Sequence, residues 1–209
     1  MEKNIKGILS LRNINSPFSN HIFPYFCFLI FINVEFTLLY IVEMIEVTDA
    51  SLQKAAGEGM DEFIQVFTDK YKEIIGGELT ADTMPLLTGE QHSLLAYQIF
   101  RDEIMFGGFC QLIQNGYGGY IFDNPFAKVM RLWGAEEFSK LVYKAKKIYD
   151  ANRKDLEKER TDDEFMAMYE QYEAFDDLEE AYLDMEEQVT TLVASYVDNH
   201  LELFAKIIK

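Results

Sequence analysis

From residue 60 onward the apolar positions recur at threes and fours, and no stretch settles into alternation. Met60, Phe63, Ile64, Phe67, Tyr71, Ile74 and Ile75 form one such stripe, followed by Gly76-Gly77. The spacing puts the large side chains on one face of a helix, and a glycine pair just beyond it is a stop signal. Thr88-Gly-Glu-Gln91 predicts the next start, since the threonine hydroxyl and the Gln91 side chain can satisfy each other's free amides in a capping box. Leu94, Leu95, Ile99 and Phe106 carry the face of that helix. A third helix is expected from Asn124-Pro125 to Gly134, where proline suits the first turn, and a fourth over residues 135–151. Thr161-Asp-Asp-Glu164 is a second capping box, opening a helix to about Tyr172.

The last helix has the clearest pattern. Phe175, Leu178, Tyr182, Met185, Val189, Leu192 and Tyr196 follow a 3-4-3-4-3-4 spacing, with Leu201 and Phe204 beyond. Either a coiled-coil seam or a helix packed into an ordinary bundle has this pattern. The fold class expected is all-α: a single compact bundle of about six helices, with no internal repeat.

Residues 105–120, MFGGFCQLIQNGYGGY, interrupt the pattern with five glycines. A phosphate-binding loop needs a preceding strand and a lysine with a serine or threonine at its end, and all are missing here. Gly107-Gly108 instead lies between two helical patterns, where a bend or a close crossing excludes a β-carbon. Asn115-Gly116 reads as a helix stop, with Gly118-Gly119 in the following turn.

Charge changes the picture after residue 43. Residues 1–43 carry three basic and three acidic residues, whereas residues 44–209 carry 16 basic and 33 acidic, the whole of the net −17. A field of that sign repels nucleic acid and attracts basic partners, so direct nucleic-acid binding is not expected. Residues 161–205 hold 14 acids and no lysine or arginine. In the last helix Asp177, Glu180, Asp184 and Glu187 repeat the 3-4-3 spacing, each two positions after a stripe member. Two positions is about 200° of rotation, which places these acids opposite the apolar stripe. With Asp163, Glu170 and Glu173 they form the candidate partner-binding surface. Two readings remain open: a charge row built for a basic partner, or a solvated face that only confers solubility.

The first 43 residues form a separate hydrophobic extension, and residues 44–209 the acidic helical domain. Residues 22–42 carry one charge, Glu35, over about the length of a membrane-spanning helix. They are either a membrane anchor, weakened by Pro24, Asn33 and Glu35, or a stretch upstream of a native start at Met44. The expected location is the cytoplasm, or the membrane if the anchor is real.

Chemistry adds little. Cys27 and Cys110 sit in apolar surroundings and lack a disulfide or zinc spacing. His21, His92 and His200 have neither an E-x-x-H partner nor a neighbouring nucleophile. Trp133 is expected to be a core or interface anchor. Neither catalysis nor a cofactor or metal is expected.

Glu103-Ile-Met-Phe-Gly-Gly-Phe109, followed by Gln111, Asn115 and Gly118, resembles the E-[VI]-x-N-G-G-F-x-Q-x-x-x-N-x-x-G signature of bacterial DNA-mimic proteins. Gly134-Ala135 matches that family's Gly-Ala after the next helix, and FDDLEEAYLDMEEQVTTLVASYVDNH resembles its closing acidic helix. The likeness covers roughly residues 58–204. It implies an acidic helical protein that occupies the DNA-binding face of a transcription regulator, as a homodimer. One departure stands out: Phe106 replaces the asparagine before the glycine pair. If that asparagine caps or bridges the bend, the task falls here to Gln111 or Asn115, or is left undone.

Overall fold

The computed structural model describes residues 45–209. The apolar run 22–42, with Cys27, the nearby His21 and the candidate start Met44, lies outside the described residues. The described chain runs β1 (Glu46–Thr48), α1 (Asp49–Glu58), α2 (Met60–Ile74), α3 (Gly89–Gln114), α4 (Gly118–Phe122), α5 (Phe126–Leu132), α6 (Glu136–Leu156), α7 (Asp162–Gln171), α8 (Asp176–Asn199), α9 (Leu201–Phe204) and β2 (Lys206–Ile208). The described residues are all-α apart from two three-residue strands.

The local signals act as their chemistry requires. Beyond α2, Gly76 and Gly77 take φ of 69° and 85°, a left-handed conformation that glycine adopts without steric penalty. Thr88 N donates to Gln91 Oε1 at 2.9 Å and Gln91 N to Thr88 Oγ1 at 3.3 Å. Thr161 and Glu164 make the same reciprocal pair at the start of α7. Helix α6 extends to the buried Leu156, past the expected end at Ala151. Three short helices escaped the pattern: α1, which buries only Leu52 and Ala55, α4, which begins at Gly118 where a turn was expected, and α9. Ten residues or fewer give too little period to detect.

Helix α3 packs against α2, α4, α5, α6 and α8. The fully buried Phe100 ring meets Phe138, Tyr182 and Phe109 edge-on at 5.0, 5.1 and 5.7 Å. Each such pair adds about 0.5–1.5 kcal/mol beyond area burial, so one side chain ties α6 and α8 to both halves of α3. Trp133 is buried, stacked on Tyr196 at 4.7 Å with Phe204 edge-on at 5.7 Å. Tyr71 Oη and Gln91 Nε2 both donate to the Phe204 carbonyl at 3.0 Å. These bonds hold the end of the chain where β2 can pair in parallel with β1, Val47 opposite Ile207. Strands of three residues carry too few side chains to show alternation.

The α8 stripe packs into the chain's own core. Phe175, Tyr182 and Val189 are buried, while Leu178, Met185, Leu192 and Tyr196 are half-buried against the core. The deepest line turns further, through Thr190, Val193, Ala194 and Val197. Phe106 departs from expectation: it is 87% exposed. It continues the Ile99 line seven residues on, but the chain bends at the next residue and no layer among the described residues covers it. No helix among the described residues is long and apolar enough to cross a membrane.

Candidate partner-binding surface

The glycine pair breaks α3 in two. Gly107 has φ −158° and ψ 20°, and Gly108 has φ 70° and ψ −167°; the second conformation is open essentially to glycine alone. A β-carbon on Gly108 would lie 2.2 Å from Glu179 Oε1. That carboxylate is close because the break frees amides at the start of the second half-helix. Phe109 N donates to Glu179 Oε1 at 2.7 Å. On another side, Glu103 Oε2 accepts from Gln111 Nε2 and from Asn115 Nδ2, both at 2.9 Å. Tyr169 Oη donates to the Gly107 carbonyl at 2.8 Å, bringing α7 to the bend.

Glu103, Gly107, Gly108, Phe109, Gln111 and Asn115 therefore work as one clamped bend, and Gly118 and Gly134 shape the chain beyond it. A β-carbon on Gly118 would lie 2.8 Å from the Tyr149 ring, so its absence lets α4 approach α6. Gly134, at φ 96°, closes α5. Where the resembling signature has asparagine, Phe106 makes no bridge. Glu179 from α8 supplies the cap and Glu103 the cross-link. The local sequence points to Gln111 or Asn115 for this work; Glu179 lies 70 residues away in sequence, and nothing local signals it.

Burial pushes the Glu179 carboxyl above the ordinary carboxylate range; the Phe109 amide opposes the rise and Asp176 adds to it. With the folded pKa the higher one, folding favours the protonated form. This contribution is fully present below the unfolded glutamate value of about 4.3 and is lost as pH rises through the folded value. Glu179→Ala removes the cap and is expected to destabilise by about 1 kcal/mol. Glu179→Gln keeps an acceptor without the charge. The wild type should therefore lose thermal stability relative to this variant as pH rises from about 4.3 to 7; parallel curves would contradict the assignment.

Six of the eight acids of α8 fall into two sets. Glu179 and Glu186 turn inward. Glu186 Oε1 accepts from Arg101 Nε at 2.5 Å and from Thr190 Oγ1 at 2.8 Å, while Arg101 Nη2 reaches Asp61 Oδ2 at 3.2 Å. Asp177, Glu180, Asp184 and Glu187 turn outward, exposed, as do Asp163 and Glu170 on α7 and Glu173 on the intervening turn. Among the described residues none of these seven pairs with a base; the ion pairs lie elsewhere, as at Lys140 with Glu136 and Glu137, or Arg153 with Asp123.

The outward row covers about 15 Å of helix axis, with side chains about 5–6 Å apart. Over that length one DNA strand carries about four or five phosphates; the row has four carboxylates. Like charges at this spacing cost a few tenths of a kcal/mol per pair, about 1 kcal/mol over three pairs. Folding alone gives no reason for the row.

The remaining candidates have structural environments. His92 Nδ1 lies 2.9 Å from Tyr120 Oη and its Nε2 2.7 Å from the Met84 carbonyl. His200 stacks on Tyr196 at 4.2 Å. Cys110 is buried, its thiol pushed up to about 12 by that burial.

These features define a class: an acidic all-helical protein with a bent central helix and, on two consecutive helices and the turn between them, a run of exposed carboxylates that pair with no base among the described residues. Residues 85–200 match the model of a family described as DMP19-like protein. A relative, DNA mimic protein DMP19 of Neisseria meningitidis serogroup B, is 32% identical over 127 residues, which is 60% of this chain and 77% of that protein. The chain belongs to the DMP19-like family.

Proposed function

We propose that this protein is a DNA mimic whose α7–α8 face occupies the basic, DNA-contacting surface of a regulator. The observation that carries the reading is the division of acids on α8. The two inward carboxylates are satisfied, by Arg101 and Thr190 for Glu186 and by a backbone amide for Glu179. The outward four are offered to solvent with no base opposite them among the described residues. Desolvating such a row stabilises a complex only when a partner supplies matching cations. The relative's name points the same way, and covering the apolar stripe with the chain's own core disfavours an adaptor that recognises partners through it.

The test is capture of a DNA-binding protein from the source cell at moderate salt. Duplex DNA should elute that protein, because the two ligands would share one surface. Reversal of Asp177, Glu180, Asp184 and Glu187 to lysine should abolish capture while leaving the helical content intact, since these side chains are exposed and make no ion pair among the described residues. Capture that survives the reversal, or that DNA does not compete away, would sink the proposal. Sensitivity to salt is expected but is not diagnostic, because any exposed charge is screened.

A further inference from the structure

The acidic face is not purely acidic. Phe106 is 87% exposed, Met166 64%, Leu183 53% and Met105 49%. Single exposed apolar side chains are ordinary on any protein surface; these four each lie within about one turn of a residue that forms or holds the bend of α3. Met105 and Phe106 immediately precede the glycine pair. Leu183 is one turn after Glu179, whose carboxylate holds the Phe109 amide. Met166 is one turn before Tyr169, whose hydroxyl holds the Gly107 carbonyl.

Two of them are also set among acids at helical spacing. Met166 lies three residues after Asp163 and four before Glu170, and Leu183 three after Glu180 and four before Glu187. Around the axis of α8, at 100° per residue, Leu183 falls between the inward Glu179 and the outward row. That is the edge of the row nearer α3. The bend thus leaves an exposed aromatic ring on α3, the helix against which α8 packs, at the position where the related signature carries asparagine.

We infer that Phe106, with Met105, Leu183 and Met166 about it, is an apolar anchor within the acidic face, and that it fits a basic protein presenting an apolar recess bordered by lysine or arginine. This rests on the reading of that face as a binding surface. Charge selects the occupant. A second copy of this chain seated here in a symmetric pairing would bring acid row against acid row; a cationic partner gains where that pairing loses. A large side chain buried near the centre of an interface and ringed by polar contacts is the arrangement that concentrates binding energy.

Two probes separate anchor from charge: oligolysine, and an amphipathic lysine-leucine peptide of equal charge that presents an apolar face. The full chain should bind the amphipathic peptide about 30-fold more tightly than oligolysine, the ratio that corresponds to about 2 kcal/mol. Phe106→Asn should abolish most of that preference and leave oligolysine binding and thermal unfolding unchanged, because the ring is almost wholly in solvent. Leu183→Asn should give a smaller loss. The proposal is overturned if the wild type shows no preference, or if the preference survives Phe106→Asn. It is equally overturned if Phe106→Asn converts a dimer into a monomer with peptide binding untouched, for then the anchor serves a second copy. Loss of neither peptide on reversal of the four-acid row would instead count against the acidic face itself, whatever Phe106 does.

Discussion

Gly108→Ala is expected to destabilise the protein by about 3 kcal/mol, a fall of roughly 6–12 °C in thermal midpoint for a domain of this size. Two costs combine. At φ 70° and ψ −167° an alanine sits where only glycine is comfortable, at about 1–3 kcal/mol. Its methyl would also stand 2.2 Å from Glu179 Oε1 and displace the carboxylate that holds Phe109 N, adding about 1 kcal/mol for a lost cap. Gly107→Ala is the control. Its φ of −158° lies outside the left-handed region that excludes a β-carbon, and the nearest obstacle, 2.2 Å from the new methyl, is the Gln111 side-chain amide. Swinging that amide away forfeits its bond to Glu103, about 1 kcal/mol. Equal losses from the two substitutions in urea unfolding would show that the backbone of the bend is not the constraint.

Arg101→Leu is expected to cost about 2–3 kcal/mol, because it leaves the Glu186 carboxylate facing inward with only Thr190 to hold it. Removing one member of a fully buried pair costs about 3–5 kcal/mol; the Arg101 and Glu186 side chains retain 22% and 16% of their exposure, so solvent screens part of that. The companion variant carries Glu186→Gln as well. With the stranded charge removed, the double variant should recover about 1–2 kcal/mol, a coupling that only contacting residues show. Additive losses would mean that the pair is a surface contact of little consequence. Charge reversal of the outward row should behave in the opposite sense: a functional loss with no structural one.

That contrast shows how much of the candidate surface was legible in the sequence. Asp177, Glu180, Asp184 and Glu187 were readable because their spacing repeats against the apolar stripe, and a helix converts spacing into direction at a fixed 100° per residue. The same arithmetic could not find Glu179 and Glu186. Both stand among other acids, and their inward orientation depends on a broken helix and an arginine, 70 and 85 residues distant in sequence. It also misplaced Phe106, since a stripe tells which way a side chain points, whereas burial depends on whether another element lies over it.

What is local could be read from the residues alone. They set the capping boxes at Thr88 and Thr161, the stops at Gly76-Gly77 and Gly134, the bend at Gly107-Gly108 and the base-free acidic run, since each is a matter of backbone sterics, neighbouring hydrogen bonds or composition. Tertiary structure alone decided which acids are neutralised and which are left to a partner, which carboxylate caps the bend, and that Phe106 stands exposed. These outcomes turn on groups dozens of residues apart arriving within 3 Å of one another, or failing to, and only packing of the whole bundle around Phe100 settles that.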